Sequence, residues 1–173
     1  ETIREAIRKL ELEGLVIMVP RKGAQVAQFT GKDIQDVLEV RASLEALAAK
    51  LACKHMDERS FLKLQLIIAE YEYAAKEDDI EVMIQKDIEF HDTIAEASRN
   101  EKLVQLYNNM REQVQRYRIT YLKNTEESSA VIAEHNAMLE ALKNRDSELA
   151  SQLATKHIET QCSSIMKFIQ SKK

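Results

Sequence analysis

The chain has 173 residues and a formal net charge of −4, from 25 Lys and Arg against 29 Asp and Glu. A chain of this length can bury a full hydrophobic core in one or two compact units. This small net negative charge does not by itself indicate binding to nucleic acid or to a membrane surface, so any such site must be a local patch of positive charge. There is no run of about eighteen apolar residues and no signal-peptide layout, which predicts a soluble, cytoplasmic protein without a membrane partner. The two cysteines, Cys53 and Cys162, lack CxxC spacing and are predicted to stay reduced.

The first thirty residues differ in pattern from the rest of the chain. Residues 1–14 have the apolar spacing of an amphipathic helix, and Gly14 is a typical helix stop. Residues 15–19 are β-branched and apolar, residues 20–23 contain Pro and Gly, and residues 24–27 alternate. This order predicts a helix followed by a short β-hairpin with a basic tip.

From Thr30 onward the sequence predicts helices only. The whole chain has 3 Gly and 1 Pro among abundant Ala, Leu, Glu and Lys, which favours an all-α fold. Apolar periodicity and capping residues predict six helices, over residues 32–54, 58–76, 79–97, 100–122, 126–143 and 146–170. Their predicted N-terminal caps are Thr30, Asp57, Asp78 or Asp79, Asn100, Thr125 and Asp146. Because the connections are short, sequence neighbours are expected to pack antiparallel, as a six-helix bundle over residues 30–173.

Four ionisable residues lie on the apolar faces of these helices. Asp87 and His91 are one turn apart on the third helix, while His135 and His157 interrupt the apolar stripes of the fifth and sixth. Burying such groups costs on the order of several kcal/mol unless they are hydrogen-bonded or bind a metal. Two interpretations therefore stay open from spacing alone: separate core histidines with ordinary hydrogen bonds, or one metal centre that takes all four. His55, at a helix junction, is predicted to be a surface residue.

The chain resembles a known family in both of its parts. Residues 4–16, which open with Arg4-Glu5-Ala6-Ile7, and residues 21–27 resemble the end of a GntR-type winged helix-turn-helix, with its recognition helix and its wing. The helical part resembles the FCD ligand-binding domain of the FadR-like branch. This second resemblance is carried by Asp33-Ile34, Val40-Arg41, Leu44-Glu45, Phe90-His91-Asp92, Asn100, Glu134-His135-Asn136, Asp146 and His157.

The resemblance implies a transcription regulator that binds a DNA operator as a homodimer and responds to a small organic acid. In that family's pattern Asp87, His91, His135 and His157 are the metal ligands. Three imidazoles and one carboxylate suit Zn²⁺ first, with Ni²⁺ or Mn²⁺ as alternatives, and leave a coordination position open. Arg41 is the implied second anchor for the effector carboxylate. The alternative for Arg41 is a buried ion pair with Glu45, one turn away.

The same resemblance divides the chain into a partial DNA-binding domain, residues 1–29, and an FCD-type domain, residues 30–173. The candidate DNA contacts are Thr2, Arg4 and Arg8 on the first helix and Arg21 and Lys22 at the hairpin tip. The alternative is an ordinary solvated charged face. A complete winged helix-turn-helix has two more helices before the recognition helix. We therefore expect this chain to be a fragment that binds its operator poorly by itself.

Two other classes of function compete with a ligand-responsive regulator. A metal-dependent enzyme could use Glu89, Glu134 or Asp92 as a base. The sequence has no HExxH motif and no paired Glu-x-x-His motifs, so we expect no enzyme. A purely structural metal bundle, whose ion only joins three helices, is the other alternative.

Overall fold

The computed structural model describes residues 2–27, 30–111, 113–115 and 128–171. Its elements are α1 (Ile3–Leu12), β1 (Val16–Val19), β2 (Gly23–Val26), α2 (Gly31–His55), α3 (Glu58–Lys76), α4 (Ile80–Ala97), α5 (Glu101–Asn109), α6 (Ser128–Lys143) and α7 (Ser147–Ser171). The predicted all-α bundle behind a helix and a hairpin is confirmed. No helix in the described part of the chain is long and apolar enough to cross a membrane.

The N-terminal piece is a capped helix joined to a two-stranded hairpin. Thr2 and Glu5 form a capping box at the start of α1. Gly14 follows α1 with a φ of 71°, a left-handed conformation that glycine adopts without strain and that commonly ends helices. Strands β1 and β2 pair antiparallel, with Val16 opposite Val26.

Predicted caps hold the N-termini of the bundle helices. Thr30 and Asp33 form a capping box at the start of α2. The other side chains accept a hydrogen bond from the backbone N–H three residues ahead, and they are Asp57, Asp79, Asn100 and Asp146. The predicted cap Thr125 lies outside the described residues.

The helix predicted over residues 100–122 is not continuous, and that prediction was wrong. Helix α5 ends at Asn109, because the N–H of Met110 turns back to the carbonyl of Tyr107 at 3.2 Å. Residues 108 and 109 are both asparagine, which has a low helix propensity. Helical structure resumes over residues 111 and 113–115. Tyr117, expected in the same stripe, lies outside the described residues.

Helix packing only partly follows the order of the chain. Helix α3 packs against α4, and α6 packs against α7, as expected for sequence neighbours. The expectation is wrong for α2 and α3, which are fully described and share little packing. Instead α2 packs along α7, because the apolar stripe of α2 meets Ile158 and Ile165 in one cluster.

The core consists of two apolar clusters separated by a polar layer. One cluster, at one end of the bundle, includes Ala49, Phe61, Phe90, Leu142 and Ala154. The other, at the opposite end, includes Leu38, Tyr71, Met83, Val131 and Ile158. Along each of α2, α4, α6 and α7, the chain passes from one cluster to the other through buried polar residues. This polar layer consists of Arg41, Glu45, Asp87, His91, His135, His157 and Gln161.

Candidate metal centre

The polar layer brings together the four residues that the sequence singled out. Helix α4 supplies Asp87 and His91, α6 supplies His135, and α7 supplies His157. All four side chains are buried, with exposures of 0% for Asp87 and 1% for each histidine. One ligand atom from each residue lies within 4.8 Å of those from the other three.

The Nε2 atoms of the histidines converge on the carboxylate and on one another. Oδ1 of Asp87 lies 3.6 Å from Nε2 of His91 and 3.4 Å from Nε2 of His135. Nε2 of His157 lies 3.2 Å from Nε2 of His91. The site therefore presents three ring nitrogens and one carboxylate oxygen to a common centre.

Two glutamates contact the Nδ1 atoms of His91 and His157, on the side of each ring that faces away from the common centre. Nδ1 of His91 lies 3.1 Å from Oε2 of Glu45, and Nδ1 of His157 lies 2.6 Å from Oε2 of Glu134. Because a carboxylate accepts hydrogen bonds, each Nδ1–H donates outward and each Nε2 can present its lone pair inward. Carboxylate–histidine pairs of this kind orient the rings in metal sites and make the ring nitrogens better ligands.

Gln161 fixes the orientation of His157 independently. Nη1 of Arg41 donates to Oε1 of Gln161 at 3.2 Å, so the amide nitrogen of Gln161 faces the other way. That nitrogen lies 2.9 Å from Nε2 of His157 and donates to it. Nε2 of His157 is therefore an acceptor, which agrees with the proton lying on Nδ1 toward Glu134.

The three histidines differ in the charge state that their surroundings favour. Burial lowers the pKa of His135 to about 3. Burial, and then the charge of His91, lower the pKa of His157 to about 3. Burial also acts to lower the pKa of His91, but the Glu45 charge and the Asp87 hydrogen bond outweigh it and raise that pKa. Two imidazoles are therefore neutral, and His91 is the one that most readily holds a proton.

The residues present fit a divalent cation. With His91 neutral, two lone pairs face each other across the 3.2 Å between Nε2 of His91 and Nε2 of His157. This arrangement is repulsive unless a bound cation, or a proton on His91, whose pKa is raised, lies between them. Nε2 of His135 is also buried and makes no hydrogen bond within the described part of the chain. Three neutral imidazole nitrogens and one carboxylate are a donor set that suits Zn²⁺ or Ni²⁺.

Arg41 lies in the same layer but already has partners. Its Nη2 lies 3.1 Å from Oε1 of Glu45, so the buried ion pair left open by the sequence is present. Arg41 also lines a narrow cavity with Leu44, Ile88 and Met110. The cavity volume is about 10 Å³, enough for a single water molecule and too small for an organic acid.

The candidate DNA contacts lie apart from this layer, on α1 and the hairpin. Arg4 and Arg8 are exposed on α1, and Arg21 and Lys22 are exposed in the turn between β1 and β2. Thr2 is exposed as well, but its hydroxyl is engaged in the cap: it donates to Oε2 of Glu5 at 3.0 Å. The structure thus keeps two groups of candidate residues, one buried and one on the surface.

Three of the residues that contact these histidines had no role in the predicted site. Glu134 was considered only as a possible base, Glu45 only as a partner for Arg41, and Gln161 not at all. Gln161 follows His157 by one turn and could have been found as a second polar interruption of the same stripe. His55 is exposed, as predicted.

Comparison with known proteins identifies the family. Residues 36–160 match the model of the FCD domain. The chain belongs to the FCD domain family. It is 28% identical over 162 residues to the HTH-type transcriptional regulator YdhC of Bacillus subtilis, covering 92% of this chain and 72% of that protein. It is 26% identical over 166 residues to the HTH-type transcriptional repressor GlaR of Escherichia coli, covering 91% of this chain and 76% of that protein.

Solved structures show the same fold. The chain matches E. coli McbR/YncC with a TM-score of 0.85 and 18% identity, covering 95% of this chain and 83% of that one. It matches the metal-free FCD domain of TM0439 with a TM-score of 0.70 and 20% identity, covering 84% of this chain and 99% of that one. This FCD chain is thus a transcriptional regulator of the GntR type, and its relatives are named regulators and repressors rather than enzymes.

Proposed function

We propose that this regulator holds a divalent cation on Asp87, His91, His135 and His157 and senses a small organic acid beside it. The observation that carries the proposal is the 3.2 Å approach of Nε2 of His91 to Nε2 of His157, with both rings held from behind by carboxylates. Without a metal ion, a proton on His91 must separate the two Nε2 lone pairs; a divalent cation displaces that proton and binds both nitrogens. Zn²⁺ is the first candidate, with Ni²⁺ or Mn²⁺ as alternatives.

When bound, the cation supplies positive charge and a coordination position that a carboxylate oxygen can take. The protein residues do the rest. Glu45 and Glu134 hold the rings of His91 and His157, and Gln161 donates to the Nε2 lone pair of His157, which it must release for that atom to bind the cation.

Arg41 is the proposed second anchor of the acid. An incoming carboxylate competes with Glu45 for the guanidinium, which can hold either one through two parallel hydrogen bonds. Leu44, Ile88 and Met110 form an apolar part of the cavity wall that suits an acid with a short carbon body. Asp92 and Arg111, which also line the cavity, are paired with each other at 2.9 Å. Because the cavity volume is only about 10 Å³, binding must widen it.

Widening of this cavity would be transmitted to α1, the helix that carries the candidate DNA-binding residues. Met110 and Val114 line the cavity, and between them Gln113 donates its side-chain N–H to the carbonyl of Glu13, at the end of α1. A ligand that prefers the wider cavity therefore favours a different position for α1. In a homodimer, such a shift changes the spacing of the two recognition helices, with Arg4 and Arg8, on an operator.

The metal part of the proposal is tested by elemental analysis of protein purified without chelator. We expect about one metal ion per chain in the wild type and its loss in His135→Ala and in His157→Ala. His55→Ala is the matched control, because His55 is exposed and should not change the metal content. A wild-type protein that is folded and metal-free overturns the proposal.

The effector part is tested by calorimetric titration of small carboxylates into the metal-loaded protein. Arg41→Lys keeps the charge and loses the planar donor pair, so we expect weaker binding with metal content unchanged. Carboxylate affinity that is unchanged in metal-free His135→Ala would disprove direct contact with the metal. A metal-loaded protein that binds no carboxylate would favour the structural metal bundle instead.

A further inference from the structure

Helix α3 carries an apolar stripe on its solvent side. Leu62, Leu66 and Tyr73 are 58%, 59% and 67% exposed, and Ala69 between them is exposed too. The opposite face of α3, with Leu64 and the other inward residues, packs on the bundle. Nothing else in the described part of the chain covers the stripe.

The spacing of this stripe is that of a helix–helix contact. Leu62, Leu66, Ala69 and Tyr73 are separated by four, three and four residues, which is the alternation of a heptad seam. A surface helix without a partner normally carries polar residues at these positions. The stripe therefore has the pattern of a surface that is covered in the assembled protein.

The charged residues beside the stripe indicate which kind of partner covers it. Basic residues, Arg59 and Lys63, flank its N-terminal half, and acidic residues, Glu70 and Glu77, follow on the same flank of its C-terminal half. This flank is complementary to itself when the second copy runs antiparallel. Isologous contacts of this kind are how twofold dimers form.

We infer that a second copy of this chain docks on α3, with the two α3 helices antiparallel. In this register Leu62 lies opposite Tyr73 of the second copy, and Leu66 lies opposite Ala69. Lys63 then lies near Glu70 of the second copy, and the symmetry makes this pair twice. The inference rests on the homodimer of the proposed function and specifies its surface.

A groove beside Tyr73 extends the complementary surface. It lies between α3 and α4, has a volume of about 610 Å³, and is lined by Glu70, Glu77 and Asp79 together with Lys86. Lys86 is already paired, 2.8 Å from Glu70 and 2.9 Å from Glu89. The rim therefore keeps an excess of negative charge, which matches the basic end of α3 in the second copy.

Charge reversal tests both the surface and its antiparallel register, with the association state measured by analytical ultracentrifugation. Lys63→Glu places two glutamates together in each pair, and Glu70→Lys places two lysines together, so each variant alone should dimerise about tenfold more weakly. An equimolar mixture of the two variants brings opposite charges together in both pairs. We therefore expect the mixture to form heterodimers with near wild-type affinity.

Two further variants separate the stripe from a general effect of exposed leucines. Leu66→Glu should dissociate the dimer, whereas Leu106→Glu on α5, which is 55% exposed, should leave it intact. Circular dichroism checks that all variants keep their helices. A wild-type dimer that Leu66→Glu and both charge variants leave unchanged overturns the α3 surface but not the homodimer. A wild type that stays monomeric at every concentration overturns both.

Discussion

Oε2 of Glu134 lies 2.6 Å from Nδ1 of His157, the shortest of the contacts that orient the proposed ligands from behind. Glu134→Gln replaces the charged acceptor by a neutral amide, so His157 becomes a poorer ligand and its ring is less well oriented. We expect metal affinity to fall about 10- to 100-fold, measured by competition with a chromophoric chelator. Glu140→Gln, an exposed change on the same helix, should leave affinity unchanged. Equal affinities in the two variants would contradict a metal-tuning role for Glu134.

Glu45 joins two buried cationic groups, and removing its charge should destabilise the metal-free protein. It contacts Arg41 at 3.1 Å and Nδ1 of His91 at 3.1 Å, and all three side chains are at most 2% exposed. Glu45→Gln leaves the guanidinium buried without its counter-charge, so we expect a loss of about 3 kcal/mol in urea unfolding. Glu39→Gln, exposed on the same helix, is the control and should change stability by less than about 0.5 kcal/mol. A similarly small loss for Glu45→Gln would mean that this pair is not needed for folding.

Arg145 ties the junction of α6 and α7 to the junction of α2 and α3. It donates from Nη1 to the carbonyl of Cys53 and from Nη2 to that of Met56, each at 2.8 Å. We expect Arg145→Ala to cost about 2 kcal/mol in thermal or urea unfolding, because two carbonyls at the end of α2 lose a charged donor.

Arg99→Ala is a closely matched control for that change. Arg99 and Arg145 both have left-handed backbones, with φ of 53° and 57°, so the backbone strain of alanine is the same in both variants. Arg99 is exposed. The difference between the two variants therefore reports the hydrogen bonds of Arg145 together with its contact over the Phe61 ring, 5.1 Å from the centroid, and equal losses would show that they contribute nothing.

Gln113 provides the contact through which the cavity beside Arg41 reaches α1. If this contact couples them, adding a bound carboxylate should change hydrogen exchange of the α1 amides in the wild type but not in Gln113→Ala. Carboxylate affinity itself should change little, because Gln113 does not line the cavity. Gln105→Ala, an exposed change on α5, should respond as the wild type does. An α1 response that persists in Gln113→Ala would exclude this route.

The sequence predicted features that local chemistry determines and missed those that depend on distant contacts. Asp57 and Asn100 were found as caps because a cap acts on a backbone group only three residues away. Asp87 and His91 were found because helical spacing identifies the apolar face on which they lie. The packing of α2 against α7 has no local sequence signal, because these are the first and last helices of the bundle in chain order. The contact of Glu134 was missed for a related reason: its position just before His135 says nothing about His157, which it contacts.

The polar layer also determines how far the helices can slide past one another. A shift of one helix by a single turn, about 5.4 Å, would move a polar residue of the layer into an apolar cluster and an apolar residue into the layer. Each misplaced residue raises the free energy of the shifted arrangement. A uniformly apolar core would impose no such penalty. The residues proposed to bind metal thus also select one alignment of four helices during folding. We therefore expect the protein to tolerate substitutions in this layer only in combination, even in relatives of this chain that bind no ion.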